Sequence, residues 1–171
     1  MESLPSRFNP VELARARQHC KVTLPVTHFT RFSELLASQG GEVVATVDFS
    51  LQGRQALARG TLQTSVEVIC QRCVKPAPLE ITTEFTFGFV SSEEDAESLD
   101  DKLDPVLVDS NGELSVIDLL EDELILQVPQ RVVHSDEKQC DPTVIDAVNA
   151  EPGVPANTHN PFSGLDELLK N

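Results

Sequence analysis

The chain has 171 residues, of which 28 are acidic and 13 basic, giving a formal net charge of −15, and its eight aromatic residues are all Phe. That length suits one ordinary domain with a tail rather than two large domains. The charge disfavours extensive contact with a phosphate backbone, which draws its affinity from Lys and Arg, and fits a basic protein partner better. No apolar run approaches the ~20 residues needed to cross a bilayer, and Glu2 and Pro5 stand where a secretory core would begin, so the expectation is a cytoplasmic protein. Four cysteines in such a compartment stay reduced and form no disulfide framework.

In chain order, Asn9-Pro10 reads as a helix start, with Asn9 as N-cap and a short helix running to about His19-Cys20. Val22–Val26 is strand-like, and Pro25, lacking an N–H, places it at an edge or strand end. Thr30 or Ser33 is the expected cap of a brief helix through Phe32, Leu35 and Leu36, stopped by Gly40-Gly41. Glu42–Leu51 alternates with Val43, Ala45, Val47, Phe49 and Leu51 on one face, and Gln52–Gln55 makes a turn. A second alternating run, Thr61–Ile69, leads to Cys70-Gln71-Arg72-Cys73. A third follows from Leu79 to Val90, with Ile81, Phe85, Phe87 and Phe89 on one face. The two cysteines are therefore expected at the closed end of a β-hairpin.

Ser91–Leu103 is acidic and reads as a solvated, mobile loop. Asp104–Val108 is a short strand. Ser115, with Asp118 three residues on, opens the best helix of the chain, whose apolar face is Ile117, Leu120 and Leu124 broadened by Leu119 and Leu126, and which Pro129 ends. The acids Asp118, Glu121, Asp122 and Glu123 read as an exposed helix face rather than a catalytic or metal-binding group. Residues 141–159 read as a linker with a helical turn at Thr143–Val148. Asn160-Pro161 then opens a short amphipathic helix through Phe162, Leu165, Leu168 and Leu169, too short to stand alone. The expected architecture is α+β: residues 1–140 form one domain with an antiparallel meander, open or closing towards a barrel, packed with a few helices. Residues 141–171 form a flexible arm ending in an amphipathic helix.

Four pieces of the chain, in order, carry a resemblance. They are Cys70-Gln71-Arg72-Cys73-Val74-Lys75-Pro76 between strands, the helix Ile117–Leu126 followed by Val128-Pro129, His134 followed by Cys140, and Asn160-Pro161-Phe162 with its Leu-rich tail. From about Leu24 to the C-terminus the chain resembles the YceD family, the large ribosomal RNA subunit accumulation proteins of bacteria and plastids. The resemblance implies a non-enzymatic role in synthesis, processing or stability of large-subunit ribosomal RNA.

Three readings of the cysteines stand side by side. In one, Cys70 and Cys73 supply two thiolates of a structural zinc site that Cys140 and His134 complete. In another they are metal-free structural thiols. In the third, Cys70 and Cys73 are a redox pair, although thioredoxin-like pairs open a helix and this one is followed by Val-Lys-Pro-Ala-Pro. Cys20, beside His19, is a lone thiol. Arg72 and Lys75, with Arg54, are candidates for a small basic spot near the hairpin ends that touches RNA beside the knuckle. Phe162 and Leu165 are candidate partner contacts. The acidic surface points to a basic ribosomal or RNA-processing protein as the main partner, and a direct rRNA contact at the knuckle is the alternative.

Overall fold

The computed structural model describes residues 7–150. Arg7–Phe8 forms a two-residue strand, β1. Asn9 caps α1 (Pro10–Ala16), its side chain accepting from the N–H groups of Val11 and Glu12 at 3.0 and 3.3 Å. The helix stops at Ala16 and does not reach His19, because Arg17 turns left-handed (φ +50°) and its N–H closes back on Ala14 and Leu13. His19 and Cys20 instead start β2 (His19–Pro25), an edge strand that Pro25 ends. A 3-10 turn at Val26–His28 leads to α2 (Thr30–Ser33), a single turn that ends well short of Gly40. Phe29 occupies its cap position without a side-chain bond, so Thr30 and Ser33 are helix members rather than caps. Burial of Phe29 and Phe32, both 0% exposed, holds this turn in place.

The three alternating runs become β3 (Glu42–Gln52), β4 (Gln55–Ile69) and β5 (Pro76–Val90), consecutive antiparallel neighbours. Gly53 (φ +63°) makes the two-residue turn between β3 and β4. Val43, Ala45, Val47 and Phe49 point inward with Leu62, Val66, Ile81, Phe85, Phe87 and Phe89. Leu51, expected on that face, lies at the hairpin tip and is exposed. On the inner face a Cβ at Gly60 would stand 2.3 Å from the Thr46 carbonyl oxygen and 2.5 Å from the Phe85 ring, so only glycine admits that ring.

Strands β2 to β5 form the expected antiparallel meander, and one further strand beyond β5 runs parallel to it. Ser91–Leu103 is not simply a mobile loop: Ser92 caps a short helix, α3 (Glu93–Glu97), accepting from the Asp95 N–H at 3.1 Å, and Leu99 packs on Gly88. The segment is a crossover, and β6 (Asp104–Leu107) joins the edge of β5 in parallel, which takes a connection of about a dozen residues. The sheet order is β2-β3-β4-β5-β6 and it does not close into a barrel. Leu114–Ser115 (β7) pairs with β1, and Ser115 then caps α4 (Val116–Leu126), accepting from the Asp118 N–H at 3.2 Å.

Val116, Leu120 and Leu124 of α4 join the inner-face core together with Ala14 of α1 and the two phenylalanines of α2. Leu126 instead points outward, 76% exposed. Helices α1, α2 and α4 thus cover one face of the sheet, whereas on the other Leu99 of the crossover packs over Gly88 and exposed residues such as Lys21, Asp48, Arg59, Gln63 and Glu84 lie beside it. Past α4 the chain returns to the far end of β4 and β5 and ends in α5 (Pro142–Asn149), a longer helix than the turn expected inside the linker. Among the described residues no helix is long and apolar enough to cross a membrane.

Candidate metal centre

At the tip of the β4–β5 hairpin the chain must reverse within Cys70–Lys75. The Val74 N–H donates to the Cys70 carbonyl and the Cys70 N–H to the Lys75 carbonyl, both at 2.8 Å. This tight curl drives Val74 to φ +59°, a conformation that costs a β-branched residue energy and persists only where the surroundings enforce it. It turns Cys70 and Cys73 inward, 0% and 1% exposed. Pro76 and Pro78 open β5 on its side away from β4, where no strand needs an N–H, and the Pro76 carbonyl on that side is available to a side chain.

The chain after α4 supplies the rest. The Gln71 N–H donates to the Val132 carbonyl, and the Gln71 side-chain amide to the Gln130 carbonyl, both at 2.9 Å. This clamps residues 130–132 along the knuckle and brings His134 over it. A 3-10 turn, Glu137–Gln139, then returns Cys140, whose N–H closes on the Glu137 carbonyl at 2.9 Å. Ala77, Val132, Val133, Val144 and Ile145 pack around the four side chains as a small apolar cluster separate from the main core.

The ligand atoms of Cys70, Cys73, His134 and Cys140 all lie within 4.8 Å of one another, and all four residues are buried. His134 Nδ1 is 3.5 Å from both the Cys73 and the Cys140 sulfur. A tetrahedron with metal–sulfur arms of about 2.3 Å and metal–nitrogen arms of about 2.0–2.1 Å has a sulfur–nitrogen edge of about 3.5 Å, so the spacing matches. On the other side of the ring Nε2 lies 2.9 Å from the Pro76 carbonyl. That oxygen can only accept, so Nε2 carries the proton and Nδ1 presents its lone pair to the cluster.

The electrostatics point the same way. Burial opposes ionisation of Cys70, but the backbone N–H groups of Cys73, Arg72 and His134 aimed at its sulfur outweigh that, and with the Cys73 thiol bring it down to about 6. Cys140 goes the other way, pushed up to about 11 by burial and by the neighbouring Cys73 and Cys70 sulfurs. Three crowded sulfurs therefore resist joint ionisation unless a cation sits among them. Together these four residues can hold a metal ion with every position filled by protein, an arrangement that braces a fold and leaves no site for substrate.

The other expected residues divide. Arg72 and Lys75 flank the knuckle, but Arg72 faces Glu137 at 3.8 Å and Lys75 faces Asp141 at 3.7 Å. Arg54 does not join them: it lies in the β3–β4 turn, at the opposite end of β4, roughly 45 Å away at ~3.3 Å per residue. Phe162 and Leu165 lie outside the described residues. Glu121, expected on an exposed acidic face, is buried at 3% exposure and accepts from Arg31 Nε at 2.8 Å and the Phe32 N–H at 3.1 Å. Its position beside Leu120 and Leu124, inside the apolar arc of α4, was the available signal.

The family model described as "Large ribosomal RNA subunit accumulation protein YceD" matches residues 58–169, a span containing all four clustered residues. The Haemophilus influenzae protein of that name is 28% identical over 167 residues, covering 96% of this chain and 95% of its own length. No solved structure matches the chain.

Proposed function

Since the chain belongs to the YceD family, we propose that it is a factor in accumulation of large-subunit ribosomal RNA, acting in ribosome biogenesis by interaction and without catalysis. Membership over residues 58–169 is the observation that carries this reading. Depletion of the protein is expected to lower large-subunit rRNA relative to small-subunit rRNA, and unchanged rRNA ratios would remove the proposal.

Within that role Cys70, Cys73, His134 and Cys140 hold a structural zinc ion. Thiolates and imidazole at tetrahedral spacing suit zinc, and the Pro76 carbonyl orients the imidazole from behind. The native protein, expressed without a histidine tag, should contain one equivalent of zinc and lose it in the Cys70→Ser/Cys73→Ser variant. A folded, metal-free native protein would return the cysteines to packing residues.

The partner is a basic protein. Residues 61–150 contain twenty acidic residues against five basic ones, a surface that attracts cationic segments and repels phosphate. The alternative, an RNA contact through Arg72 and Lys75 at the knuckle, has less support because both cations face carboxylates. Loss of RNA binding on Arg72→Glu/Lys75→Glu would favour it.

A further inference from the structure

Strand β5 is paired unequally on its two sides. β4 accompanies it from Pro76 to Phe89, whereas β6 reaches only Phe87–Val90. Its hydrogen bonds fix which way each peptide group points. The Lys75 carbonyl accepts from the Cys70 N–H at the end of β4, so the odd-numbered residues that follow turn their peptide groups to β4. The even-numbered ones face away, as the Pro76 carbonyl does towards His134 Nε2 and the Val90 carbonyl towards the Val108 N–H. The N–H groups of Glu80, Thr82 and Glu84 and the carbonyls of Pro78, Glu80 and Thr82 therefore point off the sheet, and none bonds to a described residue. The Glu84 carbonyl meets only the Thr83 hydroxyl, at 3.5 Å.

Native sheets blunt such edges with proline or cover them. Pro76 and Pro78 guard the knuckle end and β6 covers the other, which leaves a gap at Leu79–Glu84. On the outer face of the sheet Glu80, Thr82 and Glu84 are exposed, and neither carboxylate is in an ion pair with a described residue. The inner face is bounded by α4. Leu119 lines a small cavity with Phe85 and Phe87, and Glu123 accepts from the Thr83 hydroxyl at 3.2 Å, so this flank of the helix runs beside β5. Leu126, three residues past Glu123, falls on the same flank and is exposed. The gap thus has bare peptide groups at its centre, carboxylates on one side and an uncovered leucine on the other.

We propose that this gap takes up an extended segment of the basic partner protein, which adds to β5 as a strand in line with β6 and alternates Lys or Arg with apolar residues. Main-chain hydrogen bonds give strand addition its affinity, and alternate side chains give it selectivity. Every second residue of the added strand stands beside Glu80, Thr82 or Glu84, where a cation is attracted. The residues between them point to the helix side and cover Leu126. The same carboxylates oppose a second copy of this edge: in an antiparallel pair centred on Thr82, Glu80 of one copy meets Glu84 of the other. Residues 151–171 of the chain are also poorly matched, with Glu151, Asp166 and Glu167 against one lysine. The inference rests on the reading that the partner is a basic protein, and adds where that partner docks and in what conformation.

The test is binding of a fluorescein-labelled peptide of alternating lysine and valine, about eight residues long, to the full chain, read by fluorescence anisotropy and by exchange of individual amides. With the peptide bound, the N–H groups of Glu80, Thr82 and Glu84 should exchange more slowly by about tenfold or more. Thr82→Pro should weaken binding by about tenfold or more, because it removes the central donor and sets a ring in the path of the added strand. It breaks no bond to β4, since its N–H faces outward as at Pro76 and Pro78, and unaltered melting checks that folding is intact. Glu80→Gln/Glu84→Gln should weaken binding by about threefold and flatten its salt dependence. Glu12→Gln/Glu34→Gln, exposed elsewhere, should leave it unchanged. The same peptide N-methylated along its backbone keeps its charge, cannot donate to the edge and should not bind. Equal binding of the methylated peptide, or protection that falls outside Leu79–Glu84, would overturn the proposal whether or not the proline variant folds. So would slow exchange of these three amides without peptide, which would give the edge to the chain's own tail, or to a second copy if it grew with protein concentration. If the alternating peptide fails while poly-lysine binds, only this inference falls; if neither binds, the reading of a basic partner falls with it.

Discussion

At Gly60 the inner face of the sheet admits no side chain at all. The Thr46 carbonyl that a Cβ would strike belongs to the paired strand and cannot swing away, and the Phe85 ring lies on the other side. Gly60→Ala is expected to lower stability by about 2 kcal/mol through this overpacking, measured by urea unfolding. Glu121 is fixed by a different mechanism. It is a buried carboxylate joining α4 to α2, and its truncation strands the Phe32 N–H as well as the Arg31 pair. Glu121→Ala should cost about 2–3 kcal/mol, with Glu121→Gln milder because it still accepts from Phe32. In the cysteine cluster, Cys70 at about 6 is already ionised at neutral pH, whereas Cys140 at about 11 still holds its proton. Metal must displace that proton, so uptake at pH 7 releases at least one proton and affinity rises with pH. Calorimetry in buffers of different ionisation enthalpy would register it, and a pH-independent affinity would contradict the arrangement.

Among the elements, α5 and the segment before it stand apart. They touch the β4–β5 hairpin through the four-ligand cluster, its small apolar surround, the two Gln71 hydrogen bonds and two weak ion pairs. The sheet, by contrast, has its own core of phenylalanines and aliphatic residues on the other side of the molecule's length. Chelation of the metal should therefore free residues 131–150 without melting the sheet. Hydrogen exchange in that segment is expected to rise by about tenfold or more while β3–β5 keep their protection. Uniform loss of protection would mean that the metal supports the whole fold.

Over the whole molecule, the acidic residues concentrate in the later elements, with twenty against five basic residues over 61–150 and four against seven over 7–60. Poly-lysine should bind the protein in a salt-sensitive way, checked by titration at increasing salt. Absence of binding even at low salt would contradict an acidic docking surface.

What the sequence determined follows from interactions that are local or periodic. The caps at Asn9 and Ser115 depend on a side chain reaching an N–H two or three residues on, and the three long strands depend on period-two alternation, so both are legible residue by residue. The Cys-x-x-Cys turn was legible for the same reason. Tertiary structure decided what depends on distant partners: β6 adding in parallel rather than antiparallel, the burial of Glu121 against Arg31, and the separation of Arg54 from Arg72 and Lys75 by the length of β4. Composition gave one net charge, yet which carboxylates Arg31, Arg72 and Lys75 face emerged only once the fold had set what each could reach. The meeting of Cys70, Cys73, His134 and Cys140 lies between these cases. The residue types proposed it, and only the return of the chain along Gln71 placed His134 and Cys140, some sixty residues from the knuckle, within bonding distance of one point.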